Sequence, residues 1–327
     1  MVSLPQVLAS NQRIASTLPP GLVAVFVGGT SGVGEYTVKA FARYAVRPRV
    51  YIIGRSQESA DRIMQECQQL NPGATFDFLQ ADVSLLVTVD EVCRQLSQRV
   101  KTINLLFLTQ GTMAFSKTTS EGLPLAFATA THSRLRFILN LLPLIQAASS
   151  LRRVVSVLAA TCEGPIDLAN LPAQGAPLQQ WRNQMASIQS LLLAQVSQRA
   201  PEVSFVHTVP GIVRGGIMRD AETNVVLVAL TKLLMPFLET PPGECGERHV
   251  FLATSAVYQG GGVGVPADGV GVGSATSGGL YSVDNKGEAS TGPVKVLDGF
   301  RVDGTAEKVW EGVVRDMERI TNKSGGN

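Results

Sequence analysis

Apolar runs of strand length alternate with longer segments of helical period along the first two thirds of the chain, the pattern of a parallel sheet covered on both faces. Strands are predicted at Leu22 to Val27, Arg49 to Gly54, Thr75 to Ala81, Ile103 to Thr109, Arg153 to Leu158 and Val203 to Thr208. Helices are predicted at Gly34 to Tyr44, Gln57 to Leu70, Leu85 to Arg99, Leu123 to Ala148 and Leu178 to Arg199. Right-handed crossovers join such units into a doubly wound α/β sheet with helices on both faces.

Past residue 216 the rhythm changes. Thr223 to Leu238 has helical character, and its apolar stretch from Val225 is interrupted by Lys232 and Pro236. That stretch is too short for a hydrocarbon core of roughly 30 Å, so it reads as an amphipathic helix over a pocket, and no stable membrane insertion is expected. Gly260 to Gly279 is glycine-rich with few bulky apolar residues and is expected to be a surface loop. A last strand is predicted at Leu280 to Val283. A last helix is predicted at Ala306 to Ile320, with Val309, Trp310, Val313 and Met317 on one face. The expected organisation is one domain over 1–327, with a nucleotide-binding core at 21–216 and a substrate-covering region at 217–327.

Charge and composition narrow the function. With 28 basic and 26 acidic residues mixed along the chain, the net charge is +2 and no basic face for nucleic acid is implied. Cys67, Cys93, Cys162 and Cys245 are scattered and read as reduced thiols. His132, His207 and His249 offer no close-spaced pair, so no metal site is expected. The first residues lack a basic segment followed by an apolar run, which points to a cytoplasmic protein.

Directly after the first strand stands Val27-Gly28-Gly29-Thr30-Ser31-Gly32-Val33-Gly34, opening a helix. Glycines at 28, 32 and 34 tighten the turn, admit a pyrophosphate against bare backbone and let the helix pack closely, while the helix start supplies N–H groups. Thr30 and Ser31 add donors. The second strand ends Gly54-Arg55-Ser56, without the acid that would meet the ribose hydroxyls of NAD. Arg55 suits a 2′-phosphate, with Ser56 or Thr30 as an added donor, so NADP(H) is the expected cofactor.

These motifs resemble the short-chain dehydrogenase/reductase superfamily, a Rossmann fold of about seven strands. The turn is similar to its TGxxxGxG pattern, with Val27 in place of threonine. Asp82-Val83 resembles the family's Asp-Val that meets the adenine. Leu108-Thr109-Gln110-Gly111 stands where Asn-Asn-Ala-Gly is usual, with Gly111 retained, and Pro210-Gly211 resembles the motif beside the nicotinamide. The whole chain also resembles a group of short-chain dehydrogenase-like proteins of filamentous fungi, some encoded in secondary-metabolite clusters. The resemblance implies a small hydrophobic metabolite as substrate. It also implies association as dimers or tetramers through the two long helices.

The family's chemistry rests on a Tyr, a Lys four residues on, a Ser and an Asn. The family serine falls at Ala159 and the asparagine near Ala130, while Ser156 reads as a strand residue. Tyrosine and lysine fall near Arg182 and Ala186, and no Tyr occurs between Tyr51 and Tyr258, nor any Lys between Lys117 and Lys232. Polar residues left to line the pocket are His132, Thr161, Cys162, Glu163, Arg182, Gln184 and Arg214. Of these His132, as acid or base, and Arg182, as a fixed cation, are the leading catalytic candidates. Three functions stay open: an NADP(H) oxidoreductase with another proton source, a redox-neutral cyclase, isomerase or dehydratase, and a silent nucleotide-binding regulator.

Overall fold

The computed structural model describes residues 2–218, 239–258, 264–265 and 279–324. Strands β1 (Val23–Val27), β2 (Arg49–Gly54), β3 (Thr75–Gln80), β4 (Leu105–Leu108), β5 (Arg153–Val157), β6 (Ser204–Thr208) and β7 (Leu280–Val283) form one sheet in the order β3-β2-β1-β4-β5-β6-β7. Every pairing is parallel. The order reverses beside β1, so the crevice between the ends of β1 and β4 is the natural ligand site of such a sheet.

The central strands β1, β2 and β4 read as near-continuous apolar runs because both their faces are buried, whereas edge strand β3 is partly exposed. In β1, Val25 and Val27 point to one core layer, and Ala24 and Phe26 to the other. The first layer is covered by α5 (Leu86–Arg99), α7 (Ser133–Gln146) and α8 (Leu178–Arg199). The second is covered by α3 (Gly32–Tyr44), α4 (Gln57–Leu70) and α9 (Pro242–Thr254).

Several predicted elements are corrected. The single helix expected over Leu123 to Ala148 is a short α6 (Leu125–Phe127), a π-helical turn Ala128–His132, and α7. Thr129 explains part of the break, since its hydroxyl donates to the Leu125 and Ala126 carbonyls within the same turn. An N-terminal helix α1 (Leu4–Gln12), absent from the sequence reading, is opened by a reciprocal Ser3–Gln6 capping box. It is followed by a single turn, α2 (Ile14–Thr17). Asn11 of α1 donates to both the carbonyl and the carboxylate of Glu247, which fastens the helix to α9. Thr223 to Leu238 and nearly all of Gly260 to Gly279 lie outside the described residues.

The C-terminal region adds α10 (Gly292–Val302) and α11 (Thr305–Ser324). Val309, Val313, Met317 and Ile320 of α11 are buried in the first layer, against α8, α5 and the π turn. Arg199 of α8 lies over the Trp310 ring at 4.5 Å. Fully burying each such aliphatic side chain is worth about 1.5–3 kcal/mol, which fixes α11 in place. The long-helix face on which self-association was expected is thus covered in part by the chain's own last helix.

Candidate active site

The turn after β1 is built by close contact. Gly28 and Gly29 N–H groups donate to the Ile53 carbonyl of β2, and Thr109 Oγ1 donates to the Val27 and Gly28 carbonyls from the end of β4. Gly34 sits so near the preceding turn that a Cβ would lie 2.3 Å from the Gly28 oxygen. Gly32 has φ +56°, in the left-handed region. Ser31 caps α3 without a side-chain hydrogen bond, which leaves the first-turn N–H groups directed at the crevice. These features fit a pyrophosphate.

A segment following β6 roofs this turn. Gly215 lies against Gly32, where a Cβ on either residue would come within 3.0 Å of the other's Cα. The Tyr36 hydroxyl donates to the Arg214 carbonyl at 3.0 Å, and the Arg214 guanidinium makes a two-pronged pair with Glu239. Ile217 stands over Gly111.

The other expected cofactor contacts gather around the same strand ends. Arg55 is exposed at the end of β2, and the Thr30 side chain packs against Gly54 beside it. Ser56 is committed elsewhere: its hydroxyl accepts from the Ser59 N–H and donates to the Ser59 hydroxyl, making it the cap of α4. Exposed Asp82 forms a tight turn by accepting from the Ser84 N–H, next to buried Val83. Pro210 and Gly211 follow β6, with Gly211 at φ +75° against Asn285.

The catalytic candidates fare differently. Arg182 is half-buried near the start of α8. His132 is wholly buried in the π turn, edge-on to Phe127 at 4.8 Å, with Nε2 3.5 Å from Asp316 of α11. Across that gap His132 holds the Asp316 carboxyl below its usual range. His132 thus sits in the seam between the π turn and the outer helix, with neither ring nitrogen in a hydrogen bond among the described residues.

A buried polar seam that the sequence reading did not assemble crosses the sheet beneath α8. Ser156, His207 and Ser282 are register partners on β5, β6 and β7. Arg134 of α7 donates to Ser156 Oγ (2.7 Å), to the Leu108 carbonyl (3.2 Å) and to the Gln110 carbonyl (2.6 Å). It is fully buried, its bonds go to neutral groups, and burial pushes it down to about 9. Gln189 also donates to Ser156, and Ser190 Oγ bridges His207 Nδ1 (2.8 Å) and Glu163 Oε1 (2.7 Å). Burial and the Arg134 charge hold His207 down at about 3, so its ring is neutral. With Nε2 accepting from the Ala159 N–H, Nδ1 carries the proton.

Gln184, one of the polar candidates, is satisfied by loop backbone. It accepts from the Asp167 N–H and donates to the Asn170 and Leu171 carbonyls. Beside the start of α8 lies an apolar cavity of about 180 Å³, whose walls include Phe115, Phe127, Ala173, Leu178 and Trp181. Phe115 meets Trp181 edge-on at 5.1 Å.

Comparison with known proteins agrees with this geometry. Residues 22–160 match the short chain dehydrogenase family. The chain is 36% identical to Oxidoreductase AN1596 of Emericella nidulans over 99% of this chain and 100% of that protein. It is 30% identical to the short-chain dehydrogenase/reductase SAT2 of Stachybotrys chartarum, over 94% of this chain and 95% of that one. Among solved structures, the Pseudomonas aeruginosa RhlG/NADP active-site complex shares the fold with a TM-score of 0.54 and 20% identity, over 78% of this chain and 98% of the other. The chain belongs to the short-chain dehydrogenase/reductase family.

Proposed function

We propose that the protein is an NADP(H)-dependent oxidoreductase acting on a small hydrophobic metabolite, with a proton source other than the family's tyrosine. The observation that carries the reading is the glycine turn, whose Gly28–Gly34 approach leaves no room for a side chain and whose helix start is uncapped. Gly28, Thr30, Ser31, Gly32 and Gly34 would hold the pyrophosphate. Arg55, with Thr30, would meet the 2′-phosphate, and Asp82 and Val83 the adenine side. Gly111, Pro210 and Gly211 would border the nicotinamide. When bound, the cofactor supplies a hydride to a carbonyl carbon or accepts one from an alcohol.

The rest falls to the chain's own residues. The aromatic-lined cavity beside the start of α8 offers apolar surface for a ring-bearing metabolite, and half-buried Arg182, next in sequence to the cavity residue Trp181, would offer a cation. Helix α8 contains neither Tyr nor Lys, so the proton must come from another element. The test is NADPH oxidation by the purified protein against hydrophobic ketones, quinones and aldehydes. Oxidation dependent on one of them supports the reading; NADPH binding without any oxidation across the panel removes it.

A second reading, a redox-neutral cyclase or isomerase, is favoured by Arg134. A fixed buried cation held by neutral acceptors is suited to stabilising negative charge without exchanging protons. Product formed without consumption of NADPH would support this reading over the first.

A further inference from the structure

Glu163 is a buried carboxyl that cofactor binding leaves unused. Its side chain has no solvent exposure. Oε1 accepts from Ser190 Oγ at 2.7 Å and from Ser282 Oγ at 3.1 Å, whereas Oε2 has no hydrogen-bond partner among the described residues. The titratable group facing it is His207 on β6, 3.8 Å away and neutral, while the Arg134 cation of α7 is bound to Ser156 and acts on His207 rather than on Glu163. From α8 it meets the hydroxyl of Ser190, and from β7 that of Ser282. Within its own loop, Cys162 precedes it. Without a cation to balance a carboxylate, burial pushes the Glu163 carboxyl up, towards the protonated acid.

Its position matters as much as its protonation. Arg182, Ala186 and Ser190 lie four residues apart on α8 and therefore share one helix face. The first two are where tyrosine and lysine would project, and Glu163 docks on the same face one turn further along, through Ser190. Its loop is clamped to α8 by Ser187, whose hydroxyl accepts from the Gly164 N–H and donates to the Gly164 carbonyl. Thr161, two residues earlier, is held at φ +67°, a conformation costly for a β-branched residue. The strained backbone at Thr161 and the Ser187 clamp together fix where the acid is held on α8.

We propose that Glu163 is the proton donor that replaces the missing tyrosine, delivering its proton from Oε2 to the carbonyl oxygen of the substrate. The proposal rests on the reductase reading above. As the carbonyl carbon gains hydride, its π-bond electrons pass to the oxygen, the Glu163 O–H bond breaks, and the proton completes the alcohol. Glu163 is left as a carboxylate held by Ser190 and Ser282, and regains a proton from water after product release. In the alcohol-oxidising direction the same groups run in reverse.

Two measurements on the full-length protein test this. The first needs no turnover: the infrared difference between the wild type and Glu163→Gln at neutral pH should contain the carbonyl stretch of a protonated carboxylic acid. Its absence, with only carboxylate bands lost, would overturn the proposal. The second uses NADPH oxidation with phenanthrenequinone and the ketone panel. Glu163→Gln should lower kcat by about 10²- to 10⁴-fold while NADPH binding heat persists as the check on folding. Wild-type kcat should fall as pH rises through the Glu163 pKa, because the donor form is lost, and Glu163→Asp should recover part of the rate. Glu163→Gln turning over within twofold of wild type sinks the proposal alone. A wild type inert to the whole panel sinks the reductase reading and the proposal with it.

Discussion

Gly34→Ala is the sharpest probe of how the nucleotide turn is built. Gly34 is helical and needs no special backbone angle, so its requirement for glycine is purely one of contact. The added methyl would lie 2.3 Å from the Gly28 carbonyl oxygen, 2.8 Å from Thr109 Oγ1 and 2.9 Å from the Gly29 Cα. Two of the three are backbone atoms, and Gly28 is itself tied to Ile53 of β2, so the turn and α3 must separate. Overpacking of this kind costs about 1–3 kcal/mol. For 327 residues, at ~2.1 cal/mol/K per residue, that lowers Tm by about 1.5–4 °C. The larger effect is on ligand. Shifting the α3 start removes one or two hydrogen bonds to charged phosphate, each worth about 1.5–3 kcal/mol, so NADPH affinity should fall roughly tenfold to about 10⁴-fold. The assays are thermal melting without ligand and calorimetric titration with NADPH. A variant with wild-type Tm and wild-type affinity would refute the packing argument.

Other consequences follow from the same structure. Arg55→Ala should weaken NADPH by about 10- to 100-fold and leave NADH nearly unchanged, measured by calorimetry, because only the former carries the 2′-phosphate. His207 and His249 are held down by burial at about 3 and about 4, below their unfolded value. The unfolded chain therefore takes up protons that the folded one refuses, so Tm should fall as pH drops below about 6.5, and His249→Gln should make that fall shallower. Removing α11 by truncation before Thr305 should uncover the apolar α5–α8 face and convert the protein to oligomers or aggregate on gel filtration. Of the four thiols Cys162 alone is not buried, and burial pushes Cys67, Cys93 and Cys245 up to about 12. A thiol reagent should therefore titrate one cysteine quickly in native protein and the rest only on unfolding.

The sheet was legible because its strands are apolar on both faces and its turns carry glycine. β2, β7, α4 and α8 begin and end where periodicity places them. The glycine turn after β1 was legible for the same reason, as its glycines respond to local contacts. The π turn was not, because the break arises from Thr129 hydroxyl bonding inside an otherwise helical apolar run. Helix α1 carried a local signal in its Ser3–Gln6 capping box, but what docks it, buried Val7 and the Asn11–Glu247 bonds spanning 236 residues, is not local. The polar seam was the hardest part, since Arg134, Gln189, Ser190 and Ser282 look unremarkable singly and become a unit only through sheet register. One signal existed: Arg134 falls on the inward face of its helix, in line with Ile138, Leu141 and Ile145, where an apolar residue is expected. The packing of His132 against Asp316 of α11 was not legible, because a lone histidine gives no sign of which helix it will face.

Whether the glycine crevice takes a phosphorylated dinucleotide is measured most directly by a calorimetric comparison of NADPH with NADH on the wild-type protein. Saturable one-to-one binding of NADPH, at least tenfold tighter than NADH, is the expected result. Absence of any heat with either nucleotide would contradict it.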